Sequence, residues 1–210
     1  MITLYTWTTP NGRKPAIMLE ELGWDYEVKG INIAKDEQFA PDFLKVSPNN
    51  KIPAIVDHDA EGGPLSIFES GAILTYLGEK SGRFLPATGH ARFKTLEWLH
   101  WQIGGLGPML GQLGYFVNRA PEKVPLAIDR FQDECARLFG VMNGRLEESD
   151  YLGGDYSIAD IACYPWMVVA TAALKDSMGD VLDRSTGIRA WLDRVGERPA
   201  VQKGMKVLQS

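Results

Sequence analysis

A change of pattern near Pro86 constrains this chain more than any other feature. Before it, short β-branched or aromatic runs alternate with helical periodicity; after it, helical periodicity continues with almost no strand signal. Residues 2–7 predict a first strand, and Thr8-Thr9-Pro10-Asn11-Gly12 is strong turn chemistry. From Lys14 the spacing of Ile17, Met18 and Leu22 predicts a helix with Pro15 near its start and Gly23 as its C-cap. Residues 26–33 follow as a second strand, and Phe39, Phe43 and Val46 suggest a short helix. Residues 54–56 and 65–68 form a hairpin across Gly62-Gly63-Pro64, and residues 70–80 form a third helix. The order β-α-β-α-β-β-α predicts an α/β domain, a mixed four-stranded sheet with helices on its faces.

Past Pro86 the expectation is all-α. Residues 91–118 read as one helix, bent at Gly104-Gly105-Leu106-Gly107-Pro108. In residues 125–148, Ile128, Phe131, Cys135, Leu138 and Met142 recur every three or four positions, as one buried face should. Ser157-Ile158-Ala159-Asp160 has the form of a capping box, opening a helix through Cys163, Trp166 and Val169. Further helices run near 188–195 and 200–208. The expected organisation is therefore a first domain over 1–82, a linker over 83–89 and a helical domain over 90–210.

Composition excludes several function classes. With 22 basic and 27 acidic residues the net charge is -5, which argues against a nucleic-acid partner. No apolar run reaches the roughly 18 residues of a membrane helix, and the N-terminus lacks the pattern of a signal peptide. Cys135 and Cys163 form no CxxC pair and fit a reducing compartment, so the cytoplasm is expected. His58, His90 and His100 are too scattered to suggest a metal, and neither a P-loop, a GxSxG elbow nor a GxGxxG after a strand is present. Both cysteines lie on apolar helix faces and read as core residues.

Two stretches remain that could do chemistry. In Ser47-Pro48-Asn49-Asn50-Lys51-Ile52-Pro53-Ala54-Ile55-Val56-Asp57 a proline stands where a strand should begin, a position that withholds a donor from the ladder. Phe68-Glu69-Ser70-Gly71 then opens a helix with a carboxylate beside its N-terminus. Together they suggest an extended segment with free backbone groups, suited to a small peptide. The second stretch, Thr8 to Gly12, precedes the first helix, whose N-terminus favours anions such as a thiolate. A hydroxyl there donating to sulfur is worth about 1.5–3 kcal/mol, lowering a thiol pKa by about one to two units. Alternatively, Thr9 and Asn11 simply shape the turn. Tyr5, the competing hydroxyl, falls inside the first strand.

The element order, the Ile52-Pro53 pair, the Glu69-Ser70 pair and the helical second half resemble a cytosolic glutathione transferase over essentially the whole chain. Thr9-Pro10-Asn11-Gly12-Arg13-Lys14, the run from Ser47 to His58, and Gly104-Gly105-Leu106-Gly107-Pro108-Met109-Leu110-Gly111-Gln112 resemble the nu class. The resemblance implies a thioredoxin-like first domain with a cis Pro53, and glutathione as the bound co-substrate. Thr9 and Asn11 match its thiol-contacting residues. Ile52 matches a backbone contact to the cysteinyl part, Lys51 a contact to the glycyl carboxylate, and Glu69 and Ser70 the grip on the γ-glutamyl end. Gln38 and Arg130 match further glutathione contacts, and Met109, Tyr115 and Trp166 would line the substrate pocket. The glycines between 104 and 111 either let backbone approach a ligand or permit tight helix packing. The activity implied is reduction of small or mixed disulfides by two glutathione thiols, without a protein cysteine or a metal. Alternatives are conventional conjugation to electrophiles and a non-catalytic binding or regulatory module. A homodimer is implied, with oxidised glutathione and a small disulfide or electrophile as the other partners.

Overall fold

The structure is a computed structural model that describes residues 1–209. It divides into two compact units, one of Met1–Leu85 joined by the segment that starts at Glu197, the other of Pro86–Gly196.

The first unit holds β1 (Ile2–Thr6), α1 (Pro10–Leu22), β2 (Tyr26–Gly30), α2 (Pro41–Val46), β3 (Ala54–Asp57), β4 (Leu65–Phe68) and α3 (Ser70–Ser81), with two 3-10 turns at Ile33–Lys35 and Glu37–Phe39. The sheet order is β2-β1-β3-β4, with β1 parallel to β2 and antiparallel to β3, and β3 antiparallel to β4. Central strands β1 and β3 are buried on both faces, whereas edge strands β2 and β4 are largely exposed, as expected for a sheet covered by helices. Helix α1 starts at Pro10, four residues earlier than the periodicity suggested, because Thr9 caps it by accepting the Gly12 N–H at 3.1 Å. Pro15 consequently lies inside the helix and brings no N–H to the ladder. Gly23 closes the helix in the left-handed conformation at φ 68°.

Helix α10 (Pro199–Met205) departs from the expected helical domain over 90–210, because it packs on α1. Arg198 forks onto Glu21 at 2.6 and 2.9 Å, and Lys203 pairs with Glu20 at 2.8 Å. Gly204 lets the two backbones meet: a Cβ there would lie 2.5 Å from Ile17 Cα.

The second unit comprises α4 (Gly89–Trp101), α5 (Gly107–Asn118), α6 (Pro125–Glu148), α7 (Ile158–Ala173), α8 (Lys175–Arg184) and α9 (Thr186–Gly196). Its core is built from Leu99, Leu106, Leu113, Phe139, Met142, Ile161, Met167 and Trp191, all buried. The expected bend between 91 and 118 is a π-turn, Gln102–Leu106, in which the Gly107 N–H reaches back to the Gln102 carbonyl. Pro108 explains it, since a continuous α-helix would need an N–H at that position and would press the ring on the carbonyl four residues back. Helix α8, which the periodicity did not reveal, leaves α7 at 116°. Among the described residues no single helix is long and apolar enough to cross a membrane.

Asp160 organises one end of this unit. Its Oδ2 accepts from the Ser157 N–H at 3.1 Å and the Ser157 hydroxyl at 3.2 Å, completing the capping box of α7. Oδ1 accepts from the Leu152 N–H at 3.1 Å and from Trp191 Nε1 at 2.9 Å. Burial pushes the carboxyl up to about 6 while these bonds pull it down.

Candidate functional site

Strand register gathers the sequence candidates at one end of the sheet. Tyr5 pairs with Ala54, and Ala54 with Phe68. Beyond that rung β1 runs on to Thr9, β3 is preceded by Lys51-Ile52-Pro53, and β4 gives way to Glu69-Ser70. The β2 strand leaves the same end, since Gly30 pairs with Thr6, and leads to Gln38. Residues separated by some sixty positions in the sequence thus converge because four chain segments exit one edge of a twisted sheet.

Each segment has its own local chemistry. Thr9 Oγ uses a lone pair on the Gly12 N–H, leaving the hydroxyl proton to donate elsewhere. Asn11 lies in the first turn of α1. Gly12 is required there: a Cβ would sit 2.2 Å from the Trp7 carbonyl oxygen and 2.6 Å from Thr6 Oγ. The Ile52–Pro53 peptide is cis. Ser47 Oγ donates to the Lys51 carbonyl at 2.8 Å and fixes the loop, while the main chain of Ile52 makes no hydrogen bond among the described residues. Lys51 is exposed and Ile52 half-buried.

Glu69 is the strained residue of the group, at φ 70° and ψ 116°. A non-glycine residue held there costs about 1–3 kcal/mol, and such outliers cluster at ligand clamps. Immediately after it Ser70, nearly buried, is the first residue of α3. Its Oγ accepts from Lys14 Nζ at 3.3 Å, and Lys14 itself is fully buried. The Gln38 amide donates weakly to Asp36 at 3.4 Å, while its Oε1 is buried without a partner. An anionic group with a peptide backbone suits this set: free main chain at Ile52, helix N-termini at Thr9 and Ser70, a carboxylate at Glu69 and an ammonium at Lys51.

Tyr5, by contrast, sits in β1 with its ring 6.0 Å from that of Phe43 and Lys29 over it. Cys135 and Cys163 are buried in the second unit, and burial, with the Glu134 charge, pushes the Cys135 thiol up to about 12. A cleft of about 690 Å³, lined by Ile2, Trp24, Asp25, Asp57 and Lys80 among others, opens at the opposite end of the sheet. Its buried carboxylate, Asp57, is taken up by Tyr76 at 2.6 Å and by Lys80, so the cleft is not where the sequence candidates lie.

The remaining candidates belong to the second unit. Arg130 is exposed on α6, where its charge adds to that of Arg137 in holding the Glu134 carboxyl below its usual range. On α5, Met109 is half-buried and Tyr115 exposed, edge-on to Phe116 at 5.2 Å. Trp166 resolves the two readings of the glycine run in part: a Cβ at Gly107 would lie 3.2 Å from its Nε1, and one at Gly111 3.4 Å from its ring. Those two glycines seat an indole between α5 and α7, while Gly104 faces open space. Sequence reading missed the burial of Lys14, because a helical lysine normally signals a solvated face.

Comparisons with known proteins give the family. Residues 1–79 match the glutathione S-transferase N-terminal domain and residues 125–194 its C-terminal domain. Disulfide-bond oxidoreductase YfcG of Escherichia coli is 51% identical over 208 residues, covering 98% of this chain and 94% of the relative. Disulfide-bond oxidoreductase YghU of the same organism is 41% identical over 97% of this chain and 73% of its own length. Among solved structures, a Pseudomonas fluorescens glutathione transferase family member with two glutathione bound superposes with TM-score 0.93 at 42% identity, over 97% of this chain and 92% of that one. A Pseudomonas putida glutathione transferase with one glutathione disulfide per subunit gives 0.93 at 43% identity, over 99% and 91%. Matched in both halves, and sharing half its positions with a relative of nearly the same extent, this chain belongs to the glutathione S-transferase family.

Proposed function

We propose that this protein is a glutathione-dependent disulfide-bond reductase that works with two glutathione thiols and no cysteine of its own. The observation that carries the reading is the gathering of Thr9, Asn11, Ile52, Glu69 and Ser70 at one end of the sheet, in a chain whose two thiols are both buried elsewhere. Support also comes from two relatives named disulfide-bond oxidoreductases and from neighbours that hold two glutathione or one glutathione disulfide.

In this reading Thr9 donates its free hydroxyl proton to the glutathione sulfur and Asn11 adds its amide. The main chain of Ile52, turned outward at Pro53, pairs with the cysteinyl unit. Lys51 meets the glycyl carboxylate, Ser70 the γ-glutamyl carboxylate at the N-terminus of α3, and Glu69 the ammonium. Gln38 and Arg130 supply further contacts, with Met109, Tyr115 and Trp166 on the substrate side. A neutral hydroxyl lowers the thiol pKa only moderately, which suits exchange, since the best attacking thiol has a pKa near ambient pH. One glutathione thiolate attacks the disulfide R–S–S–R′, forming R–S–SG and expelling R′S⁻. The second attacks R–S–SG at the glutathione sulfur, forming oxidised glutathione and expelling RS⁻. Each expelled thiolate takes a proton from solvent, and the two electrons gained by the substrate come from the two glutathione thiolates, which are oxidised to glutathione disulfide. The working form is a homodimer in the cytoplasm, where reduced glutathione is maintained.

The test is reduction of 2-hydroxyethyl disulfide by glutathione, followed by consumption of NADPH through glutathione reductase. Turnover well above the uncatalysed exchange is expected. A family described as S-transferases also favours conjugation as a second reading, so the same preparation is assayed with 1-chloro-2,4-dinitrobenzene. Conjugation faster than disulfide reduction would reverse the assignment.

A further inference from the structure

Ser47 is fully buried at the C-cap of α2, and its N–H, carbonyl and hydroxyl are all engaged. The N–H donates to the Phe43 carbonyl at 2.8 Å, closing the helix, and the carbonyl accepts the Asn50 N–H at 3.0 Å. The hydroxyl donates to the Lys51 carbonyl at 2.8 Å. Asn50 takes the left-handed conformation at φ 47°, which asparagine tolerates better than most residues, and turns the chain back toward Ser47. A buried hydroxyl costs free energy unless it is partnered, so the serine needs this bond. The Lys51 carbonyl does not, because it belongs to an exposed residue that water could serve in another orientation. What the bond adds is direction.

Direction matters because a peptide unit is planar. The Lys51–Ile52 bond is trans, so its C=O and N–H point to opposite sides within one plane. Holding the carbonyl against a fully buried serine therefore turns the Ile52 N–H away from that interior. This N–H makes no hydrogen bond among the described residues, and neither does the Ile52 carbonyl. The residue before a proline is held to extended backbone, where its own N–H and carbonyl face one side. Ile52 thus offers one donor and one acceptor to a single residue of an extended peptide, as in a hydrogen-bonded antiparallel pair. Pro53 brings no donor to compete.

We propose that Ser47 is a positioning residue for glutathione: by holding the Lys51 carbonyl inward it presets the Lys51–Ile52 peptide plane, so that the Ile52 N–H is aimed at the cysteinyl carbonyl. The inference rests on the glutathione reading above and adds a residue that acts only through the main chain. It makes the orientation of the Ile52 amide a property built into the protein before the ligand arrives, rather than one the ligand must impose.

Amide NMR of the protein saturated with glutathione tests it, read at Ile52 and, for reference, at Ser70 on the γ-glutamyl side. In the unaltered protein both amide protons should move downfield and exchange more slowly with solvent. In Ser47→Ala at saturation the Ile52 response should be largely lost and the Ser70 response kept. Glutathione affinity per folded molecule, measured by calorimetry, should fall about 3–10-fold, the range of one neutral hydrogen bond. Ser47→Thr keeps the hydroxyl and should restore the Ile52 response. An unchanged Ile52 response in Ser47→Ala, or equal losses at Ile52 and Ser70, would mean a serine that only supports the loop and overturn the proposal. Should Ser47→Ala not fold, crystals of the unaltered protein grown with and without glutathione decide. The Lys51 carbonyl should stay on Ser47 Oγ in both, with the Ile52 N–H on the cysteinyl carbonyl in the complex. A peptide plane that turns over between the two overturns the proposal. No binding of glutathione to the unaltered protein would instead remove the reading beneath it.

Discussion

Lys14 in the first unit and Asp160 in the second are both fully buried, and both hydrogen-bond within the first turn of a helix, with opposite signs. Asp160 brings a negative charge to the N-terminus of α7, where the dipole favours it, and four donors from Leu152, Ser157 and Trp191 complete its two oxygens. Nothing is left over, and the network ties α7 to α9 and to the loop before it. Lys14 Nζ donates to Ser70 Oγ at the first residue of α3, next to Glu69. The strained Glu69, the free main chain of Ile52 and the unpartnered Gln38 Oε1 lie at the same end of that sheet. Polar groups are closed at this end of the second unit, whereas at the sheet end of the first unit Gln38 Oε1 and the Ile52 main chain stay open.

The largest effect should follow from breaking the closed network. Asp160→Ala strands the Trp191 indole and the Leu152 and Ser157 donors, at about 1–3 kcal/mol for each buried group left unsatisfied. Urea unfolding should show a loss of about 3 kcal/mol or more at pH 7, while glutathione affinity per folded molecule stays near the unaltered value. If affinity collapsed with stability, the division between closed and open chemistry would be wrong.

A second effect of similar kind is pH dependence. Burial raises the folded Asp160 pKa to about 6, above its value of 3.8 in an unstructured chain, so the native state binds the extra proton between those values. The stability linked to this group is therefore fully present below about pH 4 and lost as pH rises through 6, at most about 3 kcal/mol at 1.36 kcal/mol per pKa unit. Asp57 behaves in the opposite sense. Burial alone would raise its carboxyl, yet the bonds from Lys80 and Tyr76 leave it below the usual range, and its contribution is present above about pH 4 and lost as the pH falls through its folded pKa. Comparing unfolding at pH 4.5 and 7 for the unaltered protein and Asp160→Asn isolates the first term: the stability advantage of the unaltered protein should shrink toward pH 7.

On the open side, Ser70→Ala should weaken glutathione binding per folded molecule by about 10–100-fold, as expected for a lost hydrogen bond to a charged group, and cost about 1–3 kcal/mol of stability because buried Lys14 Nζ loses an acceptor. Thr9→Ala is expected to be milder, about tenfold in disulfide reduction at pH 7, with the rise of rate with pH moved upward by about one unit. Thr9→Ser should retain most activity and Tyr5→Phe nearly all, because Tyr5 packs on Phe43 from within β1. A larger loss in Tyr5→Phe than in Thr9→Ala would transfer the activating role to the tyrosine.

Much of the fold is legible where local signals and long-range register agree. Period-two runs, turn residues and the Ser157 capping box are read within a few positions, and proline at the head of β3 marks an interrupted ladder whatever packs around it. What escaped reading depends on partners distant in sequence. An amphipathic helix does not name the surface it covers, so the return of α10 to α1 through Gly204 and the Arg198–Glu21 fork was invisible. Gly104 to Pro108 announced a bend but not its π form. Lys14 carried no local sign of burial, and Asp160 looked like a cap alone because Trp191 lies 31 positions away.

The smallest expected effect concerns the sulfurs, and it bears directly on the contrast between the units. Cys135 and Cys163 are both fully buried in the second unit, and the Cys135 thiol, pushed up to about 12, is almost wholly protonated at neutral pH. The thiolate, not the thiol, is the nucleophile. Neither cysteine should therefore react with an aromatic disulfide reagent in the native protein within the time of an assay, whereas both react once the chain is unfolded. Replacing both with alanine should cost about 1–2 kcal/mol of stability through the small cavities left in the core. Disulfide reduction by the folded double variant should stay within twofold of the unaltered protein, since the reacting sulfurs arrive with glutathione at the open end of the sheet. A folded double variant without activity would return the chemistry to a protein thiol and break the division between the closed second unit and the open end of the sheet.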